Sequence, residues 1–256
     1  MDGIKSVVLK IKRQADPQSK PYWEEFEVPY QPRANVIYCL MQLQRNPVNR
    51  QGHPTTAPAW EAACLEEVCG TCTMVIHGRV RQACSALVDE VGKRAGEHLQ
   101  ITLEPMTKFP VVRDLIVDRS EMFETLKRIK AWVPIDGTHD LGPGPRIPDS
   151  VRELRYEFAR CMTCGCCLEA CPNVNAHSNF IGPAALGQVK LFNLHPIGAA
   201  LEDERFDVLA GPDGITGCGN AQNCVQVCPK DIPLTRAIAE LNRDITLNRL
   251  RKWLTK

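Results

Sequence analysis

Cys161-Met-Thr-Cys164-Gly-Cys166-Cys167-Leu-Glu-Ala-Cys171-Pro172 is answered further along the chain by Cys218-Gly-Asn-Ala221-Gln-Asn-Cys224-Val-Gln-Val-Cys228-Pro229. Reduced to its cysteines, the first run reads C-x2-C-x2-C-x3-C-P, with Cys166 as an extra. The second has the same frame with one change: Ala221 stands where the second cysteine would fall. Each run ends on Pro, which fixes φ as the chain leaves and offers no N–H. Such tight spacing folds several thiols onto one turn, and the rest of the sequence has to be read around what they hold.

Two chemistries use cysteines so densely: disulfide frameworks and metal sites. The chain has 256 residues and 13 cysteines. Its opening, Met1-Asp-Gly-Ile-Lys-Ser-Val-Val-Leu-Lys, alternates like a strand and has no apolar core of signal-peptide length, which argues against an oxidising destination. Clustered thiolates in a reducing compartment usually bind metal. Apolar residues make up 44% and charged residues 24%, an ordinary globular balance, and the formal net charge is +1, so no global field favours nucleic acid. The longest uncharged run, Cys171 to Val189, is broken by Pro172, Gly182 and Pro183 and is not a membrane span. The expectation is a soluble chain, or one that meets a membrane only through a partner.

Val7, Leu9 and Ile11 alternate with polar neighbours between Ser6 and Arg13, the period of a half-buried strand. Trp23 to Val28 gives a second strand. From Asn35 to Arg45, the apolar set Val36, Cys39, Leu40 and Leu43 has helical spacing and stops at Asn46-Pro47. Cys39 belongs to that stripe and reads as a buried small hydrophobe.

Cys64-Leu-Glu-Glu-Val-Cys69-Gly-Thr-Cys72 then leads into a hairpin, Thr73 to Ile76 turning at His77-Gly78, which returns to Cys84. The spacing C-x4-C-x2-C…C is that of plant-type ferredoxins, which hold a [2Fe–2S] cluster. Gly70 lets the backbone wrap closely and aim amides at sulfur. A zinc site is the alternative, but zinc modules favour paired C-x2-4-C knuckles. Glu66 and Glu67 either tune the charge beside the ligands or face solvent. His98 to Leu103 closes the β-rich part.

Beyond it, a helix is expected from Ser120, as N-cap, to Ala131, with Met122, Leu126 and Ile129 on one face. A Gly- and Pro-rich loop follows from Gly137 to Pro148, and Asp149 or Ser150 caps a helix delivering Cys161. Gly182-Pro183 opens another helix, continued from Gly198 to Leu209, and a last helix runs from Leu234 to Leu254. Its basic ending, Arg249-Leu-Arg251-Lys252-Trp253, is either solvated or a contact for a partner near a membrane.

In two-cluster ferredoxins, the fourth cysteine of each run serves the other cluster. Cys161, Cys164 and Cys167 with Cys228 then hold a [4Fe–4S] cluster. Cys171, Cys218 and Cys224 are left with Ala221, whose methyl cannot bind iron, so the third cluster is expected to be [3Fe–4S]. Cys64, Cys69, Cys72 and Cys84 hold the first. These eleven ligands leave Cys39 and Cys166 over, both read as packing residues. No P-loop, no G-x-G-x-x-G and no catalytic constellation appears.

These motifs resemble one family. The C-x4-C-x2-C-x11-C spacing, Pro110 to Asp118, Phe180-Ile-Gly-Pro183-Ala, Thr235-Arg236-Ala-Ile and both cysteine runs together are similar to the iron–sulfur subunits of succinate dehydrogenase and fumarate reductase, over essentially the whole chain. The resemblance implies an α+β fold: a β-grasp [2Fe–2S] domain at 1–112 and an all-helical two-cluster domain at 113–256. It implies a relay from an FAD-bearing flavoprotein subunit, which oxidises succinate to fumarate, through [2Fe–2S], [4Fe–4S] and [3Fe–4S] to a quinone. The quinone is met at a membrane anchor carrying haem b, at the cytoplasmic face of the membrane. Fumarate reduction would run the same wire backwards, and an interaction module binding zinc is the reading from another class. Ubiquinone-linked members place His after the first cysteine of the last run and Trp shortly after the first Cys-Pro. Gly219 and the residues from Asn173 to Asn179 depart from that, and the sequence here looks like the menaquinone-linked type with two haems. Leu65-Glu66-Glu67-Val68 also departs from the usual Arg-Glu-Gly.

Overall fold

The computed structural model describes residues 3–134 and 145–255. Most of the expected Gly137–Pro148 loop lies outside them. Two compact units emerge: Met1–Arg119 with Met162–Glu169, and Ser120–Cys161 with Ala170–Lys256.

The first unit is built on a mixed six-stranded sheet. Its strands are β1 (Ser6–Arg13), β2 (Tyr22–Pro29), β3 (Thr73–Ile76), β4 (Arg79–Gln82), β5 (Lys93–Ala95) and β6 (His98–Glu104), in the order β2-β1-β6-β3-β4 with β5 beside β6. β1 pairs antiparallel with β2 and parallel with β6, so a crossover must carry the chain between β1 and β6. Helix α1 (Val36–Arg45) lies in that crossover. Val36, Cys39, Leu40 and Leu43 of α1 join Val7, Leu9, Ile11, Phe26, Leu99 and Ile101 in one core. Apolar alternation along β1 therefore does what its period suggests, and Val8, also buried, packs away from that core cluster. A short helix, α2 (Val88–Val91), and a small hairpin of β7 (Val111–Arg113) and β8 (Ile116–Val117) complete this part.

Between β7 and β8, Asp114 turns with φ +46° and is buried. Its carboxylate accepts from Arg13 Nε at 3.0 Å, Gln14 N at 2.9 Å and Ala59 N at 2.8 Å. Arg13, equally buried, also meets Glu24 and the Thr56 carbonyl and hydroxyl. This network ties β1 to the segment that leads into Cys64.

The second unit is helical: α3 (Ser120–Arg128), α4 (Asp149–Ala159), α6 (Pro183–Asn193), α7 (Glu202–Leu209), α8 (Asn223–Gln226) and α9 (Leu234–Leu254); α5 (Cys166–Ala170) begins in the first unit. Its core gathers Ile129, Phe180, Leu186, Val189, Phe206, Leu209, Ile238, Leu241 and Ile245. Three boundaries differ from the sequence expectation. Ser120, expected as the N-cap of α3, is its first helical residue. α3 stops at Arg128 because Lys130 turns left-handed (φ +51°), while Ile129 still reaches the core. Pro148, not Asp149 or Ser150, is the N-cap of α4, and the Asp149 carboxylate inside the first turn pairs with Arg152 at 2.7 Å. The basic end of α9 is used within the unit: Arg251 meets Asp203, Lys252 meets Asp207, and Arg249 donates to the Ala210 carbonyl. Among the described residues, no helix is long and apolar enough to cross a membrane.

Candidate metal centres

The loop from Cys64 to Cys72 shows how a short peptide can present sulfur to metal. Leu65, Glu67 and Gly70 all take left-handed φ (+59°, +55° and +71°). Alternating hands curl the backbone so that successive N–H groups point inward, the geometry of an anion nest. The anion here is sulfur. The amides of Glu66, Val68 and Cys69 donate to Cys64 Sγ at 3.4, 3.3 and 3.3 Å, and the Thr71 amide donates to Cys69 Sγ at 3.5 Å. The Glu67 amide reaches Cys84, whose thiol also lies against that of Cys72. These contacts bring Cys64, Cys69, Cys72 and Cys84 into one neighbourhood, with backbone amides directed at the sulfurs.

The thiols feel this environment unequally. Burial works against the Cys69 thiolate, but hydrogen bonds from Thr71 and Cys64 outweigh it and hold the group at about 6. Burial, reinforced by the Cys72 thiol, pushes Cys84 up to about 12. Cys39, on the buried face of α1, is also pushed up to about 12, by burial. It takes no part in the loop.

Residues that the cysteine pattern alone does not announce hold this loop in place. Asn35 caps α1 by accepting from Tyr38 N at 2.9 Å while its amide donates to the Cys84 carbonyl at 2.8 Å. Arg119 donates to the carbonyls of Gly70 and Thr71 at 2.9 and 2.8 Å. Ser85 donates to the Glu67 carboxylate at 2.5 Å. Glu67 is thus tied to the loop, and Glu66 is exposed. Cap preference could have flagged Asn35 in sequence; nothing local flags Arg119.

In the first unit, Cys164 sits between two left-handed residues, Thr163 (φ +49°) and Gly165 (φ +88°), immediately before α5. A β-carbon at Gly70 would lie 2.6 Å from Cys164 Cβ and 2.7 Å from its Cα, so the loop of the first constellation presses directly on Cys164. Glu169 fixes the C-terminal end of α5, accepting from Thr107 N and Lys108 N, both at 3.0 Å. Cys166 is buried beside Cys164, and hydrogen bonding from Cys166 holds the Cys164 thiol at about 7. Cys167 follows in the same turn, close enough to act on Cys166 through its charge.

In the second unit, Cys161 ends α4 with its N–H on the Phe158 carbonyl at 3.2 Å. Cys228 follows α8 and its sulfur accepts from Ile232 N at 3.5 Å. Cys171 and Cys218 pack against the core of this unit, and Cys224 is buried nearby. Burial pushes the Cys224 thiol up, and the charges of Cys171 and Cys218 push it the same way, so these three lie within electrostatic reach of one another. Ala221 is exposed between Asn220 and Gln222, both left-handed (φ +55° and +62°). Asn173 donates to the Gly217 carbonyl at 2.5 Å, and a β-carbon at Gly219 would meet its amide at 2.8 Å. Gly219 and Asn173 are therefore a matched pair: a side chain at 219 would require Asn173 to leave. Among the described residues, no three His, Cys, Asp or Glu converge as a site for a single metal ion.

Comparison with known proteins agrees with this chemistry. A family model for a 2Fe-2S iron-sulfur cluster binding domain matches residues 8–124, and one for a 4Fe-4S dicluster domain matches residues 157–232. The succinate dehydrogenase iron-sulfur subunit of Bacillus subtilis is 56% identical over 99% of this chain and 98% of its own length. The fumarate reductase iron-sulfur subunit of Wolinella succinogenes is 30% identical over 89% of this chain and 92% of its own. In fold, a chain of the Mycobacterium smegmatis Sdh1 complex in the apo form superimposes with a TM-score of 0.80 at 24% identity, over 96% of this chain and 98% of that one. With a sheet domain that binds [2Fe–2S] and a helical domain of the 4Fe–4S dicluster type, the chain belongs to the family of succinate dehydrogenase and fumarate reductase iron–sulfur subunits, the electron-transfer subunits of these oxidoreductases.

Proposed function

We propose that this subunit carries electrons between an FAD-bearing flavoprotein, where succinate becomes fumarate, and a membrane anchor carrying haem b, where menaquinone is reduced. The anchor would hold it peripherally at the cytoplasmic face of the membrane. Cys64, Cys69, Cys72 and Cys84 would hold [2Fe–2S] within residues 1–112. Residues 113–256 would hold the other two clusters: [4Fe–4S] on Cys161, Cys164, Cys167 and Cys228, and [3Fe–4S] on Cys171, Cys218 and Cys224. Such clusters, when bound, take up and release one electron at a time, which is how a two-electron oxidation can feed a chain of single-electron carriers. The subunit's own residues supply thiolates, amide donors to sulfur and dry packing around them.

The observation that carries the three-iron assignment is Ala221. Three thiols gather in the second unit, and the position that would complete their set is an exposed methyl flanked by left-handed residues. The menaquinone reading is supported by Gly219 with Asn173, since the histidine of the ubiquinone-linked pattern cannot enter there without displacing Asn173. Ala221→Cys tests the assignment. After anaerobic reconstitution, the variant is expected to take up a fourth iron and lose the EPR signal of an oxidised three-iron cluster. An unchanged three-iron signal would overturn it.

A further inference from the structure

Cys166 is outside the ligand frame, yet it is buried and hydrogen-bonded by a side chain from elsewhere in the first unit. Its sulfur, 1% exposed, accepts from Gln82 Nε2 at 3.3 Å. Gln82, on β4 and just as buried, donates from the same nitrogen to Thr73 Oγ1 at 3.1 Å. An amide nitrogen can only donate, so in this contact the Cys166 sulfur is the acceptor. That leaves the thiol proton for its other neighbour, Cys164 Sγ, which the Cys166 backbone N–H also addresses. Gln82 thereby fixes the direction in which Cys166 donates. A residue that served only to fill space would need neither partner.

We propose that the Cys166 thiol, oriented by Gln82, is a positioning residue that donates a hydrogen bond to Cys164 and so raises the reduction potential of the four-iron cluster. This rests on the assignment of Cys164 as a ligand of that cluster, made above. The physical basis is charge. Reduction adds one negative charge, part of which resides on the thiolate sulfurs, and a donor aimed at one of them stabilises the reduced form more than the oxidised form. The donor is 1% exposed, so its hydrogen bond is not one that bulk solvent supplies in its place.

The test is stepwise reduction with EPR detection, on the protein purified anaerobically with its partner subunits. Cys166→Ala is expected to lower the midpoint of the four-iron cluster while leaving that of the two-iron cluster unchanged. Cys166→Ser, which keeps a donor, is expected to shift it less, and Gln82→Leu, which frees the direction of donation, to shift it in the same sense as Ala. A midpoint equal to that of the parent in Cys166→Ala, with the cluster intact, would overturn the proposal. Should Cys166→Ala not assemble the cluster, Gln82→Leu decides on the same midpoint, because every cysteine remains in place. The ligand assignment fails separately: Cys164→Ser would then leave the four-iron signal unaltered.

Discussion

Replacing Gly70 by Ala asks whether the loop of the first cluster site really presses on Cys164, and Gly78 provides the control. Both glycines are left-handed, at φ +71° and +77°, so an alanine at either carries the same backbone penalty, about 1–2 kcal/mol. Their surroundings differ. At Gly78 nothing lies within 4 Å of the added β-carbon. At Gly70 the new atom falls 2.6 Å from Cys164 Cβ and 2.7 Å from Cys164 Cα. Backbone on the other side cannot swing away like the end of a flexible side chain, so a further cost of about 1–3 kcal/mol is expected from overpacking. For a chain of this length each kcal/mol corresponds to about 2–4 °C of thermal midpoint. Gly70→Ala is therefore expected to melt at least about 2 °C below Gly78→Ala, and to distort the environment of Cys164 while the control does not. The assay is loss of visible cluster absorbance on heating anaerobic protein at one fixed scan rate, since unfolding with cluster loss is irreversible. Iron content and EPR of the unheated variants accompany it. If Gly70→Ala costs no more than Gly78→Ala, the close approach of Gly70 to Cys164 is not a feature of the protein.

Two other substitutions report on buried charge. Asp114→Ala strips the acceptor from the Gln14 and Ala59 amides and leaves buried Arg13 with Glu24 as its remaining ion-pair partner, and should destabilise the first unit by about 2–5 kcal/mol. The same readout on Glu97→Ala, which breaks the exposed pair with Lys5, should move by less than about 1 kcal/mol. Arg205, fully buried in the second unit, donates to the carbonyls of Lys130, Trp132 and Gly198 and to Asn193. Arg205→Lys should cost at least about 2 kcal/mol, because one ammonium cannot span acceptors that a planar fork reaches together; a fully stable Lys variant would refute that account.

How much of this the sequence disclosed follows from what spacing can encode. The ligand runs are legible because short gaps fix, through the covalent chain, which thiols can share a turn. The same holds for β1, and for α9 as far as Ile245. The apolar spacing of Ile238, Leu241, Ile245 and Leu250 suggests one buried face; the first three are buried and Leu250 is exposed, although the helix spans Leu234–Leu254 as its pattern suggested. Helix ends were less legible. At α3 a single left-handed residue, Lys130, decides the stop, and no local rule favours lysine there. Arg119, Gln82 and the Asn35 bond to the Cys84 carbonyl were silent for a different reason: each reaches its partner across at least 48 residues of chain, so no window of sequence contains both ends of the bond. The division of Cys161 to Cys171 between two compact units was silent for that reason too.

The departures from the family pattern become coherent once their neighbours are known. Glu67 stands where a glycine is usual, yet its φ of +55° keeps the glycine-like turn, and the Ser85 hydroxyl holds the carboxylate that glycine would lack. The strain of a left-handed glutamate, of the order of 1 kcal/mol, is offset by that bond and by the amides the turn delivers to sulfur. Gly219 is the converse: a residue without a side chain where a histidine is familiar, with Asn173 in the space a β-carbon would need. In one case the backbone is kept and the side chain is newly anchored; in the other the side chain is lost and a neighbour fills the volume. Neither change falls on a cysteine. What varies around a fixed set of ligands is then the donors and dipoles facing the sulfurs, and those are the groups that set how readily each site takes an electron.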